Sequence, residues 1–151
     1  MPDLPQPSLN AVGASARNTA ARAAVRARVA LRVVPVTLHH DPIAGGHLIE
    51  AGGELDYAAT PQLSAVFTIA TAAGERVIVL DLTQVEFIDS TALGTILRFR
   101  EQLESQGGQL EVVCLDGAVK RLLEITNLAR SFRVHGTREA ALDAASAHAQ
   151  P

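Results

Sequence analysis

Asp89, Ser90 and Thr91 place one carboxylate and two hydroxyls in succession where an apolar run ends and a 3.6-residue apolar period begins. That junction reads as a helix N-terminus, where the first N–H groups lack intrahelical partners and the helix dipole favours negative charge. A phosphate is chemically at home there, so Ser90 is the leading candidate for a functional residue. The ordinary role of a hydroxyl at a helix start is N-capping, worth about 1 kcal/mol, and two in succession exceed what one cap requires. At least one is left to face solvent or a partner. Asp56, at the end of Gly53-Glu54-Leu55-Asp56, precedes the preceding helix and brings a second carboxylate to the same end of the sheet, with a plain turn role as its alternative.

Other reactive side chains point away from catalysis. The chain has no Gly-x-Ser-x-Gly elbow, phosphate-binding loop or Gly-x-Gly-x-x-Gly turn, and Ser90 has no evident base, so an enzyme is not expected. No metal site or cofactor is expected either. His39, His40 and His47 form at best a weak metal cluster and read as solvated edge histidines, and His135 reads as a surface or cap residue. Cys114 sits in the apolar run Leu110 to Leu115 and reads as core packing, not as a redox thiol. Asp81 and Asp89 could suggest an acidic phosphoacceptor or magnesium pocket, but eight residues and a turn between them favour turn or cap roles.

The elements that must position these residues follow from apolar periodicity. Val33 to Leu38 and His47 to Ala51 read as an antiparallel hairpin turned by Asp41-Pro42 and Gly45-Gly46, with Pro35 at a sheet edge. Gly52 to Asp56 then leaves the sheet. Thr60 as N-cap with Pro61 opens a helix buried through Leu63, Val66, Phe67 and Ala70 and ended by Gly74. Val77 to Leu82, with its β-branched apolar run, is a central strand. After Ser90, a helix turns Ala92, Leu93, Ile96, Leu97, Phe99 and Leu103 inward until Gly107-Gly108 stops it. Leu110 to Leu115, a helix over Ala118 to Leu128, Phe132 to His135, and a helix capped by Thr137 complete the domain near Ala147. The order β-β-α-β-α-β-α-β-α predicts an α/β fold whose mixed sheet has parallel central strands and about four helices.

A chain of 151 residues with 48% hydrophobic composition is about one domain plus a tail. Residues 1–32 carry five arginines against Asp3 alone, leaving eight basic against fifteen acidic side chains in the remainder. An acidic body suits a basic protein partner better than direct nucleic-acid binding. The Ala/Arg-rich segment 1–32 reads as a mobile tail, frayed or weakly helical, with targeting, contact with an anionic surface or an upstream non-native start as alternatives. Residues 33–147 are the expected domain and 148–151 a short C-terminal tail. One cysteine fits a reducing compartment, and no run approaches the roughly 18 apolar residues of a membrane span, so a cytoplasmic protein is expected.

From about Val33 to Ala145 the chain resembles the STAS domain family, specifically its single-domain anti-sigma factor antagonists. The resemblance rests on Gly53-Glu54-Leu55-Asp56, on Val79 to Leu82 continuing through Val85-Glu86-Phe87-Ile88-Asp89-Ser90-Thr91-Ala92-Leu93-Gly94, on Gly107-Gly108 and on Ile125-Thr126-Asn127-Leu128. It implies partner switching: the dephosphorylated antagonist binds an anti-sigma factor that is also a serine kinase, a sigma factor is released, and a serine phosphatase reverses the modification. By position the phosphoacceptor is Ser90, with Thr91 the less favoured hydroxyl, and Asp56, Asp89, Ser90, Thr91 and Gly94 border the partner surface. A weak homodimer is compatible with this family. The rival implication is a non-switching STAS adaptor subunit of a membrane lipid-transport complex. Ala92 and Asn127 stand where the family often has glycine; alanine favours the helix, and asparagine tolerates a left-handed backbone.

Overall fold

A computed structural model describes residues 35–149. The chain runs β1 (Thr37–Ile43), β2 (Gly46–Leu55), a 3-10 turn (Tyr57–Ala59), α1 (Thr60–Ala72), β3 (Val77–Ile88), α2 (Ser90–Ser105), β4 (Gln109–Val113), α3 (Ala118–Ile125), a second 3-10 turn (Leu128–Arg130), β5 (Arg133–His135) and α4 (Arg138–Ala149). The strands form one sheet in the order β1-β2-β3-β4-β5, with β1 antiparallel to β2 and the other pairs parallel. This is the mixed-sheet α/β fold with four helices that the apolar pattern implies. The expected tail over residues 1–32 and the ends of the chain at 33–34 and 150–151 lie outside the described residues.

Alternation along the strands sorts side chains into two layers. Ile49, Ile78, Leu80, Leu110 and Val112 pack with Leu63 and Phe67 of α1, Ile96 and Leu103 of α2 and Leu123 of α3. Their neighbours Leu48, Val77, Val79 and Val113 pack on Ala141 and Ala145 of α4. Each parallel step moves the same way across the sheet, so crossovers of one hand place α1, α2 and α3 on one face. The opposite face is left for α4. Phe67 and Phe99 stack at a centroid distance of 4.4 Å where α1 meets α2.

Several boundaries differ from the sequence reading, each for a local reason. The first strand is Thr37–Ile43 and includes Asp41-Pro42; on an edge strand Pro42 leaves no ladder bond unmade on its open side, and the turn falls at Ala44-Gly45. β2 does not leave the sheet at Gly52 but continues to Leu55, with register shifts against β3 after Glu50 and after Gly53. Gly53 takes φ 80, which a bulge there accommodates most cheaply with glycine. β3 likewise runs past Leu82 to Ile88, so Asp81 and Asp89 are separated by extended strand and not by a turn. Because β4 ends opposite Asp81, the last residues of β2 and β3 project beyond it as a two-stranded ribbon. α3 stops at Ile125 because Asn127 adopts the left-handed conformation at φ 59.

Two polar clusters lie on the α4 face. Arg138 Nε donates to Asp81 Oδ2 at 2.7 Å and its Nη2 donates to Glu50, while Asp81 Oδ1 accepts from the Thr83 N–H at 2.9 Å. Asp81 is thus a buried ion-pair partner, correcting its expected turn or cap role. Glu111 is fully buried, accepts from Gln109 Nε2, and lies 2.5 Å from His135 Nε2. His135 is therefore a half-buried partner of a carboxylate and not a surface or cap residue.

His47 also departs from expectation. It is buried because β2 is an interior strand, and its Nε2 lies 3.1 Å from His40 Nδ1 with the two rings stacked. Burial, and then the neighbouring His40, hold His47 below the usual imidazole range, against weaker opposing pulls from Glu75 and Asp41. The unfolded chain therefore binds the extra proton first as pH falls. This contribution to stability is complete above about pH 6.5 and is lost as pH falls from there through the lower folded-state value. Urea titrations between pH 7.5 and 5.5 are expected to show stability falling by at most about 1.4 kcal/mol per pH unit, with the slope removed in His47→Leu. Equal slopes in both proteins would refute the assignment. No group of three or more metal-ligating side chains occurs among the described residues.

Candidate functional site

Leu55 of β2 and Ile88 of β3 are the last register pair of the ribbon, so Asp56 and Asp89 follow side by side at its tip. The Asp89 N–H donates to the Leu55 carbonyl at 3.0 Å, extending the pairing by one step. Both aspartates keep extended backbones, and each starts a helical segment. Asp56 Oδ1 accepts from the Ala59 N–H at 3.1 Å and caps the 3-10 turn. Asp89 Oδ1 accepts from the Ala92 N–H at 2.8 Å, and the Leu93 N–H donates to the Asp89 carbonyl at 3.0 Å, which makes Asp89 the N-cap of α2.

The cap assignment changes the meaning of the two hydroxyls. Ser90 and Thr91 occupy the first two positions inside α2, both exposed, and among the described residues neither hydroxyl makes a hydrogen bond. Neither is spent on capping. Thr60, expected as an N-cap, instead donates its hydroxyl to the Tyr57 carbonyl at 2.7 Å, and α1 opens directly from the 3-10 turn. Gly94 lies one turn beyond Ser90 on the same side of α2, with open space where a Cβ would stand. It leaves the helix backbone bare at a propensity cost of about 1 kcal/mol.

Asp56, Asp89, Ser90, Thr91 and Gly94 thus fall at one end of the β2–β3 ribbon and the helix that follows it. The sequence reading missed two neighbours. Tyr57 directly follows Asp56 and is 72% exposed, while Phe87, the penultimate residue of β3, is half exposed. The available signal was a lone tyrosine placed immediately after a turn carboxylate. Glu54, Asp56, Glu86 and Asp89 supply the charge here, and no lysine or arginine occurs in residues 51–75 or 77–97. The surface therefore carries exposed aromatic residues within an acidic stretch of chain, a combination suited to a basic, partly apolar protein partner.

Cys114 lies outside this surface. It is buried in the main core, and burial pushes its thiol up, as expected for a packing residue.

Comparison with known proteins agrees with this architecture. The STAS domain family matches residues 35–141. The anti-sigma-B factor antagonist of Staphylococcus aureus (strain NCTC 8325 / PS 47) is 34% identical over 80 residues, spanning 53% of this chain and 74% of that protein. A crystal structure of an anti-sigma factor antagonist from Mycobacterium paratuberculosis superposes with a TM-score of 0.68 at 27% identity, covering 74% of this chain and 94% of that one. The phosphorylated form of the Bacillus cell fate determinant SpoIIAA shares the fold at a TM-score of 0.56 and 22% identity, covering 73% and 98% of the two chains. With the β2–β3 ribbon, the aspartate-capped α2 and the family match over most of its length, the chain belongs to the STAS domain family.

Proposed function

We propose that this protein is an anti-sigma factor antagonist whose dephosphorylated form binds an anti-sigma factor serine kinase, frees a sigma factor, and is switched off by phosphorylation of Ser90. The observation that carries the reading is the exposed Ser90 hydroxyl, left free inside the first turn of α2 because Asp89 provides the cap. Relatives named as anti-sigma factor antagonists support the general role. The protein acts as a binding partner in the cytoplasm and not as an enzyme. No lysine or histidine base is bonded to Ser90 among the described residues, so the kinase supplies it. As the Ser90 Oγ–P bond forms, the γ-phosphoryl bond to ADP breaks and the hydroxyl proton passes to the kinase. A serine phosphatase returns the hydroxyl by hydrolysis.

Incubation with candidate anti-sigma kinases and ATP, followed by mass-spectrometric site mapping, tests the proposal. Stoichiometric phosphate on Ser90 is the expected result. Phosphate on Thr91 alone would move the switch, and none with any candidate would favour the constitutive adaptor. Tyr57 offers a second measurement, because an exposed aromatic beside the phosphoacceptor has the properties of an interface anchor. Tyr57→Ala is expected to weaken kinase binding by about 2 kcal/mol, roughly thirtyfold, with unchanged folding. Calorimetric titration giving an unaltered Kd would remove Tyr57 from the interface.

A further inference from the structure

We infer that Asp89 is a positioning residue that transmits the chemical state of Ser90 to the loop carrying Tyr57, an inference that rests on Ser90 being the phosphoacceptor. The two oxygens of this carboxylate hold different elements. Oδ1 accepts from the Ala92 N–H at 2.8 Å, inside the first turn of α2, while Oδ2 accepts from the Tyr57 N–H at 2.7 Å, across the tip of the ribbon. Among the described residues, Asp89 Oδ2 is the acceptor of the Tyr57 N–H. Its neighbouring bonds, Asp56 to Ala59 and Thr60 to Tyr57, stay within the turn and do not fix it to α2. One carboxylate therefore sets the position of an exposed aromatic residue relative to the serine beside it.

Phosphorylation places a competitor next to that carboxylate. The phosphate on Ser90 carries up to two negative charges and three strong acceptor oxygens, and its nearest donors are the N–H groups of the same first turn. Asp89 occupies one of those donors and lies one residue away, so the two anions repel each other and contend for the Ala92 N–H. Rotation of the Asp89 side chain away from the helix relieves both conflicts. It also withdraws Oδ2 from the Tyr57 N–H, since both oxygens belong to one rigid group. Phosphate on Ser90 thus releases the β2–α1 loop, and the switch alters the shape of the docking surface as well as its charge.

Asparagine separates the two functions of this residue. It remains a good N-cap through its single carbonyl oxygen, but its amide nitrogen cannot accept from Tyr57. The test uses the full chain with phosphoserine incorporated at position 90 during translation, beside the unmodified chain and Asp89→Asn. Amide hydrogen exchange is read by NMR. Exchange at Tyr57 is expected to rise at least tenfold in both altered chains, while Ile78 and Leu80 in β3 stay protected. A Tyr57 amide that exchanges equally in the unmodified and phosphoserine chains overturns the inference. Kinase site mapping reports on the underlying reading separately: phosphate accepted at Ser90 with an unmoved Tyr57 amide rejects the coupling and leaves the switch. A responsive Tyr57 amide in a chain that no kinase modifies leaves the coupling and removes the switch.

Discussion

Ser90→Glu is expected to bind the anti-sigma kinase about 100-fold more weakly than wild type, a loss of about 2.7 kcal/mol, while unfolding at an unchanged denaturant midpoint. The two halves of this result have different causes. A negative side chain in the first turn of a helix interacts favourably with the dipole, which offsets its repulsion of the Asp89 cap, and Ser90 is exposed, so the net change in folding is small. At the interface the same charge joins Glu54, Asp56, Glu86 and Asp89, and docking must remove it from water against a partner arranged for an uncharged hydroxyl. Ser90→Ala is the complementary variant, expected to bind normally and resist phosphorylation. Titration calorimetry and urea unfolding on the same preparations separate the effects. A Ser90→Glu protein that binds like wild type would defeat the switch.

Arg138→Ala carries the largest expected effect on folding, a loss of about 2–4 kcal/mol. Arg138 reaches from the first residue of α4 to Asp81 and Glu50, and Asp81 is only 2% exposed. Removing the guanidinium leaves that carboxylate in the interior with the Thr83 N–H as its remaining bond. The loss stands below the full range for a buried pair because the Arg138 side chain is 44% exposed and water shares its charge. α4 makes the effect visible, since it buries only small residues, Ala141 and Ala145, with Leu142 partly covered, and has little apolar area to hold it in place. The double variant Asp81→Asn with Arg138→Ala is expected to recover part of the loss, because the orphaned charge is then gone. Urea midpoints that match wild type for Arg138→Ala would show that the ion pair is idle.

Fold class and the helix start that leaves Ser90 exposed were legible in the sequence because both depend on local signals. The run Val77-Ile78-Val79-Leu80 specifies a strand covered on both faces, and the change of period after Ile88 specifies a helix start. The extent of β2 and β3 was not legible. Once the bulges intervene, the inward residues of β3 fall at Leu82, Val85 and Ile88, three apart, which does not match strand alternation. The roles of Asp81 and His135 were hidden for another reason. Their partners, Arg138 and Glu111, are 57 and 24 residues away, and only sheet order brings them together. A cap role was open to both Asp89 and the hydroxyls that follow it, and the aspartate holds it because its backbone stays extended at the end of the ribbon.

The face beneath α4 has a consequence for any state in which that helix is undocked. Among the described elements α4 is the last in the chain, and a state in which it is undocked leaves one face of the sheet without its cover. A purely aliphatic face would then be an adhesive surface in a crowded cell. Here Glu50, Asp81 and Glu111 stand among Leu48, Val79 and Val113 on the waiting strands. Carboxylates on a bared face favour its hydration, and Arg138 pairs with two of them, Glu50 and Asp81, when the helix is docked. The same side chains whose desolvation costs the folded interior thus oppose adhesion whenever the helix is away.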